Sequence, residues 1–126
     1  MRHFKVPLIL MSLVLAGCAG SSSSVSQDMY LTSKGFQELQ KGNYRQAEAN
    51  FDVALDINPN NPYALLNLGV VYQNTGRLER AREMYQKVID LNPTDRAGES
   101  TRQDLQGKSL AEIARKNLKT LESKKQ

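Results

Sequence analysis

One thiol and one imidazole bound the reactions open to this chain of 126 residues, because Cys18 is its only cysteine and His3 its only histidine. His3 sits in a basic opening with Arg2 and Lys5, and Cys18 ends the run Leu15-Ala16-Gly17-Cys18 behind an apolar stretch. The sequence after Cys18 therefore supplies no imidazole and no free thiol. Ser/His or Cys/His nucleophile arrangements and His/Cys metal sites are excluded there, and neither a metal nor a cofactor is expected. Carboxylates remain at Asp52, Asp56, Glu79, Glu83 and Asp90, but they fall at helical intervals with basic residues nearby. That pattern describes solvated helix faces better than the paired carboxyls of a glycosidase. No Gly-rich phosphate loop occurs. The chemistry in the chain is concentrated at Cys18.

The elements that position Cys18 are short. Residues 6–16 are apolar but include Pro7, and a bilayer-spanning helix needs about 20 such residues. A basic opening, a short apolar core and small residues before the cysteine are the layout of an export signal. The run from Leu15 to Cys18 resembles the lipobox of bacterial lipoproteins: an aliphatic residue, a small residue, Gly or Ala, then the modified cysteine. That resemblance implies cleavage between Gly17 and Cys18, a diacylglyceryl thioether on Cys18 and acylation of the new amine. The competing reading of the thiol is a small buried hydrophobe. Two or more acyl chains give stable anchoring where one does not. Ala19, in place of an Asp, follows the cysteine, which by the same resemblance implies the outer membrane with the domain facing the periplasm.

Removing residues 1–17 leaves 109 residues, enough for one small domain, and the loss of Arg2 and Lys5 takes the formal charge from +4 to +2. No concentrated basic patch with stacking groups accompanies that charge, so nucleic acid is not an expected partner. Residues 18–27 are mostly small and polar and read as a flexible tether with a root-mean-square span of roughly 17 Å.

From Asp28 the pattern becomes helical, and two segments align at a spacing of 34 residues. Gly35 and Gly69, Gly42 and Gly76, Ala47 and Ala81, Phe51 and Tyr85, and Asn58-Pro59 and Asn92-Pro93 all keep it. Apolar steps of three and four predict helices near 29–41, 45–57, 62–75 and 78–91. Gly42 and Gly76 would turn each pair through positive φ, and each Asn-Pro would close the second helix by forcing the residue before proline out of the α region. A 34-residue helical hairpin cannot bury its apolar face alone and must stack on a neighbour.

These units, 28–61 and 62–95, resemble the tetratricopeptide repeat family. The second carries Leu65, Leu68, Gly69, Tyr72, Ala81, Tyr85 and Pro93 at the family positions; the first keeps Leu31, Gly35, Ala47, Phe51, Ala54 and Pro59 but has Lys34 and Glu38 where apolar residues are usual. The resemblance implies an all-α solenoid in which Gly35 and Gly69 allow close approach around Ala47 and Ala81 while Phe51 and Tyr85 fill the space between units. It also implies a concave groove lined by the first helix of each unit. Carried over by repeat position, its residues are Met29, Thr32, Phe36 and Leu39, then Tyr63, Leu66, Asn67, Val70, Gln73 and Asn74. Phe36, Leu39, Leu66 and Val70 would form an apolar strip with an amide rim suited to a peptide. Some relatives clamp a terminal carboxylate, but Thr32, Phe36, Ala97 and Thr101 replace the residues needed, so a clamp is not expected and Asn67 is assigned a local hydrogen bond.

Two units are too few for a continuous core. The third element is read at 109–122, where Leu110, Ile113, Ala114, Leu118 and Leu121 form a stripe opposite Glu112, Arg115, Lys116 and Lys119, and Ser109 with Glu112 forms a capping box. It would cap the second unit or, alternatively, fold into the groove. Residues 96–108 read as an irregular linker, the remnant of a third unit's first helix. The tail from Lys108 onward carries a net +4 and reads as solvated, with acidic head groups or an acidic partner as the alternative. The function expected is a lipid-anchored adaptor or assembly factor of the cell envelope that binds a periplasmic or outer-membrane protein or peptide, as pilotins or recruiters of cell-wall enzymes do. The alternatives are a structural homo-oligomer and a carboxylate-based cell-wall enzyme.

Overall fold

The computed structural model describes residues 26–96 and 106–123. They form five helices: α1 (Gln27–Gln40), α2 (Tyr44–Ile57), α3 (Pro62–Asn74), α4 (Leu78–Leu91) and α5 (Leu110–Ser123). The export signal, Cys18, nearly all of the tether, and Ala97 and Thr101 of the linker lie outside the described residues.

The two hairpins turn as their glycines require. Gly42 and Gly76 take φ of 79° and 77°, and the amides that follow reach back to helix carbonyls, Asn43 to Glu38 and Arg77 to Tyr72, each at 2.9 Å. A left-handed residue at that position lets the last carbonyls find donors, and a side chain there would strain the backbone. The second-helix ends differ from each other. Asn58 ends α2 in an extended conformation at φ −134°, as a residue before proline should. Asn92 ends α4 in the left-handed region at φ 44°, where a short amide side chain is tolerated. The expectation that both Asn-Pro pairs stop their helices in the same way therefore fails at the second.

Inside each hairpin an aromatic ring lies against a glycine. A Cβ on Gly35 would sit 2.7 Å from the Phe51 ring, and one on Gly69 would sit 2.5 Å from the Tyr85 ring. The close approach bought by the glycines is thus to the ring faces, and Ala47, Ala54 and Ala81 fill what remains at full burial. α1 packs on α2, α3 on α4, and α2 on α3, so one core runs from Phe51 through Leu65, Leu68 and Val71 to Tyr85 and Val88. The result is an all-α stack of helical hairpins.

α5 extends this core. It packs along α4 and, over a shorter stretch, along α3, which is the relation α3 itself has to α2 and α1. Leu110, Ile113, Ala114 and Leu121 are buried, while Glu112, Arg115, Lys116 and Lys119 are exposed. Ser109 and Glu112 make the capping box: the Ser109 amide donates to Glu112 Oε2 at 2.7 Å and the Glu112 amide donates to Ser109 Oγ at 3.2 Å. The Ser109 amide holds the Glu112 carboxyl below its ordinary range. The Leu110 amide donates to the Asp95 carbonyl at 3.1 Å, and Arg96 pairs with Ser109 in an isolated antiparallel bridge. Arg96 Nη1 also donates to the Gly107 carbonyl at 2.5 Å. The bridge thus holds Arg96 beside Ser109, at the entry to α5. The place of a third unit's first helix is taken by α5 itself, where the sequence predicts a remnant of that helix within the 96–108 linker.

Candidate functional site

The first helices of the hairpins, α1 and α3, build the wall that sequence reasoning assigned to partner binding. Pro62 opens α3 behind Asn61, whose side-chain oxygen accepts from the amides of Tyr63 and Ala64 at 3.1 and 3.0 Å. Asparagine before proline is a strong helix start, since proline lacks the amide that a first helical turn leaves unpaired. This fixes the orientation of Tyr63, Asn67, Val70 and Gln73, all half-buried, while Asn74 is exposed. From α1, Met29 is 37% exposed and Phe36 and Leu39 are half-buried against the core.

Two of the ten assigned residues are not available to a partner. Leu66 is buried at 7% exposure and Thr32 at 5%. Thr32 Oγ1 donates to the Asp28 carbonyl at 2.7 Å and accepts from Asn61 Nδ2 at 3.1 Å, so its hydroxyl is already engaged. Repeat position alone placed them in the groove; their contacts place them in the wall. The accessible apolar surface is carried by Met29, Phe36, Leu39, Tyr63 and Val70.

The polar rim is made of amides, with the Asp95 carboxylate near Tyr63. Asn67 Nδ2 donates to the Tyr63 carbonyl at 2.9 Å, a bond within its own helix, and its Oδ1 has no partner among the described residues. Gln73 Oε1 accepts from the buried Tyr85 hydroxyl at 2.8 Å. Burial pushes the Tyr85 hydroxyl far above its ordinary pKa, offset in part by a hydrogen bond with Asn117 of α5. Burial, then the charge of Asp95, raises Tyr63. Amides and phenols of this kind pair with peptide groups but supply neither a nucleophile nor a general base at neutral pH. No group of three or more His, Cys, Asp or Glu side chains that could hold a metal occurs among the described residues.

Sequence reasoning missed the junction that ties the two units together. Asn61 is 1% exposed and donates to Asp28 Oδ2 at 2.9 Å, while Asn58 Nδ2 reaches the same oxygen at 3.0 Å. Asp28 is itself buried. Hydrogen bonds from Ser26 and Asn58, with lesser help from Asn61 and the Met29 amide, hold its carboxyl below the usual range against the opposing effect of burial. The Asn61-Pro62 pair was the readable signal, as a helix cap; its long-range partner was not.

A separate open cleft of about 520 Å³ lies between α2, α3 and α4. Leu65, Leu68, Tyr72 and Met84 form its floor, with Asp52 and Asp56 of α2 on one rim and Lys87 of α4 on the other. Burial, then the charges of Glu48 and Asp56, raises Asp52. Beside it Arg77 binds Glu48 in a bidentate pair at 2.7 Å for both contacts and stacks 4.5 Å from the Tyr72 ring centroid. Planar guanidinium geometry suits both contacts at once. The pair links α2 to the start of α4 and is a brace between units.

The family model for the tetratricopeptide repeat matches residues 38–105, more than half of the chain. Human protein O-mannosyl-transferase TMTC2 is 41% identical over 49 residues, which are 39% of this chain and 6% of that protein. Photosystem I assembly protein Ycf3 of Synechococcus sp. (strain CC9902) is 36% identical over 62 residues, 47% of this chain and 36% of that protein. The uncharacterized protein ycf37 of Pyropia yezoensis is 38% identical over 58 residues and is covered to 33% of its length. The chain thus spans little more than a third of these relatives at most. The repeated hairpins, the ring-on-glycine packing and the family match agree, and this chain belongs to the tetratricopeptide repeat family, whose fold is a scaffold for protein–protein interaction.

Proposed function

We propose that the chain is a lipid-anchored adaptor or assembly factor of the cell envelope, fastened through acylated Cys18 to the periplasmic face of the outer membrane. It captures an apolar peptide segment of an envelope protein along α1 and α3. The observation that carries the binding part is the row of Met29, Phe36, Leu39, Tyr63 and Val70, partly exposed on a wall edged by amides. An apolar strip edged by hydrogen-bonding groups takes alternate side chains of an extended or helical segment. The run Leu15-Ala16-Gly17-Cys18 supports the anchor. Among the relatives, one is named for assembling a multiprotein complex, and an assembly role of the pilotin kind, or recruitment of a cell-wall enzyme, fits a module that binds without transforming.

Two measurements test the reading separately. Cys18→Ser is expected to move the protein from the membrane fraction to the soluble fraction or leave it uncleaved; a cleaved, membrane-bound variant would refute the anchor. Met29→Glu with Val70→Glu places charge on the wall at partly exposed positions. Crosslinked capture of the partner from intact envelopes should fall at least tenfold, about 1.4 kcal/mol or more, with helical circular dichroism retained. Unchanged capture would move the binding surface elsewhere. Leu66 is unsuitable for this test because it is buried.

A further inference from the structure

The two ends of the stack are built differently. At the α5 end, the outward face carries Glu112, Arg115, Lys116 and Lys119, all exposed, as a terminal cap of a solenoid should. At the α1 end, Tyr30 is 59% exposed, and Val53 and Ile57 are each 47% exposed. The 34-residue period says what this face is for. The counterparts of Tyr30, Lys34 and Gln37 in the second unit are Ala64, Leu68 and Val71, which are buried to 0%, 3% and 0% exposure in the core shared with the first unit. The counterpart of Val53 is Lys87, which lines the cleft toward α2. Tyr30, Lys34 and Gln37 thus occupy the positions through which one unit stacks on the unit before it, while Val53 and Ile57, whose counterparts Lys87 and Leu91 stay exposed in the second unit, lie at the margin of that face.

We propose that this face of α1 is covered by a second copy of the same chain across a two-fold axis, α1 against α1 in antiparallel register. Lys34 and Glu38 lie one helical turn apart on the same face, so an antiparallel pairing sets each Lys34 opposite the Glu38 of the other copy. A two-fold contact demands such self-complementarity, with residue i meeting j and j meeting i. Glu38 accepts from Lys41 at 2.9 Å and from Asn43 at 2.7 Å, and a carboxylate has about four acceptor positions, so room for a further donor remains. The Lys34 and Glu38 pairs set register and partner choice, and burial of Tyr30, with Val53 and Ile57 at the margin, supplies the affinity. Head-to-tail stacking is disfavoured because it would press those three side chains onto the charged face of α5. The contact closes as a dimer instead of growing into a filament, and it leaves the wall of α1 and α3 facing away from the new interface.

The full chain tests this in its own membrane. Gln37 falls beside the axis, so Gln37→Cys should form a disulfide-linked dimer on oxidation, while the parent chain with Cys18 alone and a chain with Arg115→Cys on the α5 face should not. In the Gln37→Cys background, Tyr30→Asp and Lys34→Glu should each lower the crosslinked fraction at least tenfold with helical circular dichroism unchanged. Adding Glu38→Lys to Lys34→Glu should restore it, because the two charges are exchanged across the axis. Failure of Gln37→Cys to crosslink overturns the proposal, as it would if the chain's own preceding residues or an unrelated protein covered the face. Crosslinking through Arg115→Cys, or absence of rescue by the double reversal in a folded chain, overturns it as well.

Discussion

Phe51→Ala is expected to lower the unfolding free energy by about 3 to 5 kcal/mol, the range for truncating a buried aromatic. Phe51 is fully buried, and its ring lies against the backbone of Gly35, which has no side chain to move into the space left behind. The neighbours Ala47 and Ala54 are equally small, so the site cannot collapse and the cavity persists. Set against the roughly 5 to 15 kcal/mol that holds a typical domain together, the loss is a large fraction of the whole. Urea unfolding followed by circular dichroism should show a lower midpoint with an unchanged slope. A midpoint that stays put would mean that the first unit contributes little to the cooperative fold. Because Phe51 lies in the core that joins the units, the second unit should melt with the first, in one transition.

Asn61→Ala should cost about 2.5 to 4 kcal/mol, from two separable sources. Loss of the cap to the Tyr63 and Ala64 amides accounts for about 1 kcal/mol, and leaving the buried Asp28 carboxylate short of a donor costs about 1.5 to 3 kcal/mol. The pH dependence distinguishes them. Asp28 has a depressed pKa in the folded chain, so its contribution is fully present above the ordinary carboxylate range and is lost as pH falls through that range toward the folded value. The parent protein should therefore weaken on acidification. The Asn61→Ala variant should show a shallower loss over the same interval, because one of the bonds that depresses the Asp28 pKa has gone. Equal slopes in the two proteins would remove Asp28 from the account of the junction.

The hairpins were legible because one packing problem is solved twice. Glycine under an aromatic ring, alanine beside it and a glycine turn recur at 34-residue spacing, and each choice leaves a mark in residue type. Lys34 and Glu38 were legible too, as departures from the apolar pattern in the unit that has no preceding repeat among the described residues. Asp28 carried no such mark, since an acidic residue at a helix start has an ordinary explanation, and only the fold brings Asn58 and Asn61 to its carboxylate. Thr32 and Leu66 were misassigned because repeat position specifies direction but not the neighbours that close over a side chain. Asn92 shows that a dipeptide can stop a helix by more than one backbone route. The capping box and apolar stripe of α5 were legible from Ser109, Glu112 and the leucines. Its place in the stack was not, because residues 96–109 interrupt the period while the Asp95 carbonyl still receives the Leu110 amide.

The pinch at Arg96 and Ser109 separates what evolution can alter from what it must keep. Where a strand of chain departs and rejoins at a common point, lengthening it costs little, about 0.6 kcal/mol for each doubling. An insertion between Arg96 and Gly107 is therefore expected to leave the seat of α5 on α4 in place, provided Gly107, at φ 72° with its carbonyl held by Arg96, is kept.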